Sequence, residues 1–187
     1  MDNAAEKLKT IYDIEALPDD ERVELIDGVM YDMAPPVTIH QRLVFRLART
    51  IADHIDDHRG KCETFVAPFA VYLNKDEYNY FEPDICVVCD PSKVDEKGCH
   101  GAPDWIIEIA SDSTRYRDYM VKSAKYKAAG VREYWIVDPL DDTVTVYDFE
   151  HETMDKYSFT DSIAGKVLQG LSIRVNDAEQ INETDRK

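Results

Sequence analysis

The sequence predicts an α/β fold in which a mixed β-sheet is flanked by helices. Three observations carry this reading. Residues 39–58 place Leu43, Val44, Leu47, Ala48, Ile51 and Ile55 at helical spacing, which makes one apolar stripe. The segments 84–89 and 104–110 are short apolar runs on either side of a loop containing Gly98 and Gly101. The stretch Ser111-Asp112-Ser113-Thr114 then offers several N-caps for a helix closed by Gly130, and the apolar run 132–137 follows at once. A chain of 187 residues with this alternation suits one domain with its own core, taken as residues 1–178, followed by a polar, fraying tail over 179–187.

The remaining elements follow in order. Residues 11–20 read as a short helical lead-in. Arg22 to Tyr31 reads as a hairpin about Asp27-Gly28, because that dipeptide accepts the positive φ a two-residue turn requires. Pro35-Pro36 ends it, Thr38 is the expected N-cap of the long helix, and Gly60 closes that helix. Residues 64–73 read as one strand rich in Phe, Val and Tyr. The run 84–89 is apolar on both faces, which places it inside the sheet. Residues 143–149 form a further strand, and 154–175 supply one or two edge strands.

Charge and cysteine usage bound the function. Acidic residues number 38 and basic residues 22, a net charge of −16. Broad non-specific affinity for nucleic acid needs Lys and Arg to neutralise phosphates, so any such contact must be local. The candidates for it are Arg42, Arg46, Arg49, Arg115, Arg117, Lys122 and Lys125. No apolar run approaches the ~20 residues of a membrane helix, and no apolar signal core opens the chain, so a cytoplasmic location is expected. Cys86 and Cys89 form a C-x-x-C within a strand, where side chains three apart point to opposite faces and chelate poorly. Together with Cys62 and Cys99 they read as reduced thiols rather than a zinc site or a disulfide framework. His54 and His58, four apart at a helix end, read as structural.

The chemistry concentrates on Asp84 and Glu108. Strands 84–89 and 104–110 are joined by one loop, so antiparallel pairing is the simplest connection. Folding the loop about its midpoint sets Asp84 opposite Ile109 and beside Glu108. Alternation places Asp104, Ile106, Glu108 and Ala110 on one face, with Trp105, Ile107 and Ile109 on the other. Two carboxylates meeting at a sheet end repel unless a cation lies between them, and Mg²⁺ or Mn²⁺ takes such oxygen ligands while keeping several waters. Asp118, Lys122 and Tyr126 share a face of the following helix. By spacing alone, Asp118 and Lys122 are a surface ion pair worth ~0.3–0.5 kcal/mol.

Several segments occur in an order that resembles a known family: Glu24-Leu25-Ile26-Asp27-Gly28, Pro35 to His40-Gln41, Glu82-Pro83-Asp84-Ile85, Trp105 to Ser111, and Asp118…Lys122…Tyr126 through Gly130 to Pro139. The chain is similar over residues 10–175 to the Uma-two family of restriction-endonuclease-like proteins, within the PD-(D/E)XK nuclease superfamily. The resemblance implies a restriction-endonuclease-like mixed sheet flanked by helices. It implies that Asp84 and Glu108 bind a divalent ion; the antiparallel register adds the Ile109 carbonyl as an expected third ligand, and such oxygen donors suit Mg²⁺ or Mn²⁺. The superfamily lysine two places after the glutamate is absent, because Ala110 stands there; the resemblance moves that role to Lys122. Glu24 is implied as a further acid near the ion, and His40 also matches the pattern. The implied activity is metal-dependent hydrolysis of DNA phosphodiester bonds, with a homodimer suited to a two-fold duplex. The alternative is a nuclease-fold module that binds or regulates without cutting.

Overall fold

The computed structural model describes residues 7–18, 20–74 and 76–176, so the tail at 179–187 lies outside the described residues. The lead-in condenses to α1 (Ile11–Glu15), where Thr10 N donates to the Asp13 carboxylate in a capping box. The hairpin forms as read: β1 (Val23–Ile26) and β2 (Val29–Asp32) pair antiparallel, with Asp27 and Gly28 both at positive φ in the turn. The long helix α2 (Thr38–Asp57) buries the six stripe residues named from sequence. Its first turn differs from expectation. Thr38 is already helical, the preceding residue is Val37, and no side chain caps the end.

The run 64–73 is not one strand. It divides into β3 (Glu63–Val66) and β4 (Val71–Tyr72) about a cis Ala67–Pro68 bond. Proline carries no N–H for a ladder, which explains the break. β5 (Ile85–Val88) is buried throughout, between two neighbours in the sheet. The segment read as a loop at 90–103 holds a 3₁₀ turn, Pro91–Lys93, and two short strands, β6 (Val94–Asp95) and β7 (Gly98–His100). β4 pairs with β7 in a three-stranded sheet apart from the main one. β8 (Trp105–Ile109) is fully buried. The helix after it begins with Ser111 and Thr114, each backbone amide bonded to the other's hydroxyl. It then widens into a π-helical segment, Arg117–Lys122, before α3 (Ser123–Ala129) and the left-handed Gly130. β9 (Glu133–Asp138), β10 (Thr143–Asp148) and β11 (Thr153–Ser158) continue the sheet, and β12 (Ile163–Ala164) with β13 (Ser172–Ile173) forms a small separate hairpin.

The central sheet has six strands in the order β11-β10-β9-β8-β5-β3, with β8 and β9 parallel and the other pairs antiparallel. It is therefore mixed, as predicted. One face, bearing Trp105, Ile107 and Ile109, packs on α2 and the β12–β13 region. The other, bearing Ile106 and Ala110, packs on Tyr126, Val131 and the β1 and β4 segments. The cysteine reading needs correction. Cys62 and Cys89 are joined by a disulfide, while Cys86 and Cys99 are free and buried. Extending the β3–β5 register by one pair brings residues 62 and 89 together, a proximity that spacing in sequence does not reveal. Among the described residues, no helix is long and apolar enough to cross a membrane.

Candidate active site

β5 and β8 pair through Ile85↔Ile107, Cys86↔Ile106 and Val87↔Trp105. One further step sets Asp84 opposite Glu108, a single residue from the register expected. That shift puts both carboxylates on one face of the sheet, at the end where β5 begins and β8 finishes. Backbone and side chains interlock there. Ile109 N donates to Asp84 Oδ2 at 2.7 Å, and Asp84 N reaches Glu108 Oε2 at 3.4 Å. The expected contribution of Ile109 was its carbonyl; the contact it makes to Asp84 is through its amide.

Three further elements close over the pair. Lys122, at the end of the π-helical segment, places Nζ 2.9 Å from Glu108 Oε1 and 2.8 Å from Glu24 Oε1. Tyr126, one turn on, donates its hydroxyl to the same Glu108 Oε1 at 2.8 Å. Tyr126 thus shares the helix face of Lys122, as its spacing indicates, and holds the carboxylate. Glu24 arrives from β1, whose four residues are all buried, and its Oε1 also accepts from Glu82 N at 3.3 Å. His40 comes from the first turn of α2 and crosses the strand end, with Nε2 3.1 Å from Asp84 Oδ2. All five side chains singled out in the sequence and by its family resemblance, Glu24, His40, Asp84, Glu108 and Lys122, therefore meet in one place.

The electrostatics are unusual for a buried site. Glu24, Glu108 and Asp118 surround one ammonium group, and Asp84 lies opposite Glu108. Asp118 lies 3.7 Å from Lys122 Nζ, and its Oδ1 has no hydrogen-bond partner. Burial pushes the Glu108 carboxyl well above the ordinary carboxylate range; Lys122 pulls it back, and Asp84, Asp118 and Glu24 push it further up. Asp118 is raised in the same way, burial first. Lys122 is held well above its usual value because its three acidic neighbours outweigh the cost of burying its charge.

Sequence reasoning missed two features. Asp118 and Lys122 are 2% and 5% exposed at their side chains, so their pairing is no surface bridge. The clue available was the stripe itself: a cation between an acid and an aromatic, on the helix face that must cover the sheet. Arg117 also lies nearer the site than its place in a generic basic set implied, 3.8 Å from Glu24 Oε2. Three of the other basic candidates are tied down. Arg115 pairs with Asp138 and Asp141, Lys125 with Asp27 and Arg49 with Asp53.

Known proteins agree with this architecture. The family model Uma2, described as "Putative restriction endonuclease", matches residues 8–176. An uncharacterized protein of Synechocystis, sll1609, is 28% identical over 121 residues, which is 63% of this chain and 67% of that protein. Among solved structures, a putative nuclease belonging to DUF820 from Anabaena variabilis superposes with a TM-score of 0.74 at 20% identity. That match covers 90% of this chain and 96% of the other, and it shows the shared fold.

Proposed function

The chain belongs to the Uma2 family, and on that premise we propose that it is a divalent-metal-dependent endonuclease that hydrolyses DNA phosphodiester bonds. The observation that carries this is the facing pair Asp84 and Glu108, with the Lys122 ammonium hydrogen-bonded to Glu108. The donor set fits a hard cation. Three carboxylates meet about one lysine, Asp84 lies opposite one of them, and Asp118 Oδ1 has no hydrogen-bond partner. Among the described residues no three His, Cys, Asp or Glu side chains form a ready-made cage. Mg²⁺ and Mn²⁺ need none, since they use one or two carboxylates, waters and substrate phosphate.

Asp84 and Glu108, with the Ile109 carbonyl, would hold the ion. Bound there, Mg²⁺ or Mn²⁺ supplies Lewis acidity that acidifies a water and polarises a phosphoryl oxygen. The protein does the rest. Ile109 N and His40 fix the Asp84 carboxylate in one orientation, and Tyr126 fixes Glu108. Lys122 then sets positive charge beside the reacting phosphate, and Glu24 holds its amine in place. Two copies about a two-fold axis would present one site to each strand of a duplex.

The excess of 38 acidic over 22 basic residues favours a second reading, a nuclease-fold module that binds a partner without cutting. Incubating supercoiled plasmid and single-stranded DNA with Mn²⁺, with EDTA, and with the Asp84→Ala protein separates the two. Cleavage that needs both Mn²⁺ and Asp84 supports the endonuclease. No cleavage of any substrate by the intact protein supports the module.

A further inference from the structure

We propose that Arg117 is the phosphate-binding residue of this site, gripping the non-bridging oxygens of a phosphodiester beside the Asp84–Glu108 pair; this rests on the nuclease reading above. Arg117 opens the π-helical segment that ends in Lys122. Its guanidinium carbon lies 4.3 Å from the centroid of the Tyr31 ring, and Nη1 lies 3.8 Å from Glu24 Oε2. Glu24 and Tyr31 are directly paired across the β1–β2 hairpin, so one cross-strand pair forms the seat of the arginine. The same Glu24 carboxylate reaches Lys122 Nζ through its other oxygen, Oε1. One buried acid thus links Arg117 to the catalytic lysine.

The seat orients the guanidinium without consuming its donors. At 3.8 Å the contact with Glu24 is too long for a hydrogen bond, and a ring face accepts none of the planar fork's geometry. The side chain is 20% exposed, against 5% for Lys122, so solvent reaches it more readily than it reaches the lysine. Neighbouring cations differ in this respect. Arg22 donates twice to Glu82, Arg115 is clamped by Asp138 and Asp141, and Lys125 is bonded to Asp27. A planar, pre-oriented guanidinium with available N–H donors matches a phosphate in shape and charge better than a lysine does. Stacking on Tyr31 holds the group while a substrate is absent.

The test uses the full chain and a fluorescein-labelled 30-base-pair duplex with its single strand. Binding is read in Ca²⁺ as a non-cleaving ion and cleavage is read in Mn²⁺, for wild type, Arg117→Ala, Arg117→Lys and Arg117→Gln. Charge-assisted hydrogen bonds predict an affinity loss of about tenfold to a hundredfold for Arg117→Ala, with a flatter salt dependence, a raised KM and a smaller change in kcat. Arg117→Lys should recover part of the loss, Arg117→Gln little of it, and added guanidinium should restore binding to Arg117→Ala. A merely structural arginine would not give that split or that rescue. Wild-type affinity in both Arg117→Ala and Arg117→Gln overturns the assignment of Arg117 and leaves the nuclease reading standing. If wild type binds neither strand form nor cuts, the nuclease reading fails and this proposal falls with it.

Discussion

Lys122 Nζ lies 2.9 Å from Glu108 Oε1 where both side chains are only 5% exposed. The two residues are fourteen positions apart, one next to the end of a strand and the other ending a π-helical segment. π-turns are rare and frequently lie at functional sites, and this one buries both Asp118 and Lys122. The relationship sets the first prediction.

Lys122→Ala should abolish metal-dependent cleavage and also lower stability. Helical spacing alone suggests a surface pair whose loss would leave melting unchanged. Buried among Glu24, Glu108 and Asp118, the lysine instead compensates charges that have no access to water. Removing one partner of a buried ion pair costs about 3–5 kcal/mol. Lys125→Ala removes a partly exposed pair with Asp27 and should cost under about 1 kcal/mol, with cleavage retained. Urea denaturation of both variants checks this, and equal midpoints would refute it.

Asp84→Ala should weaken Mn²⁺ binding, measured by calorimetry at matched pH. Asp84 has its Oδ2 occupied by Ile109 N and His40, so the carboxylate is pre-oriented and little ordering cost remains on binding. Identical heats and affinities for the variant and wild type would remove Asp84 from the ligand set.

Stability should depend on pH through Glu108. Burial raises this carboxyl from an ordinary 4.5 to about 8 in the folded chain. The folded state therefore keeps a proton that the unfolded state releases between those values. Its contribution is fully present below the unfolded value and is lost as pH rises through the folded one. Glu108→Gln cannot release a proton, so its melting temperature should fall less than that of wild type between about pH 5 and pH 9. Parallel curves for the two proteins would contradict the assignment.

Thiol counting tests the disulfide. The chain has four cysteines, of which Cys62 and Cys89 are bonded. Alkylation of the unfolded, unreduced protein should label two thiols, Cys86 and Cys99, and prior reduction should raise the count to four. By the loop-closure account, reduction should also cost about 3 kcal/mol of stability. Four labels without reductant would show the bond absent.

The sequence by itself determined the class of the fold and the closeness of Asp84 and Glu108. Period-two alternation fixed the faces of β8, and period 3.6 fixed the apolar stripe of α2, because which side chains share a face depends on local geometry alone. Asp84 and Glu108 were legible for the same reason: one loop joins their strands, so pairing follows from its midpoint to within a residue. The tertiary structure decided what requires two distant segments to meet. It set Glu24 on Lys122, His40 on Asp84, Arg117 over Tyr31 and Cys62 on Cys89. Nothing in the spacing of those residues encodes their approach, because each rests on how a hairpin, a helix end or an edge strand packs on the sheet. The same holds for the burial of Lys122. A helical repeat states which side chains share a face, but only the packed sheet beneath it states whether water reaches them.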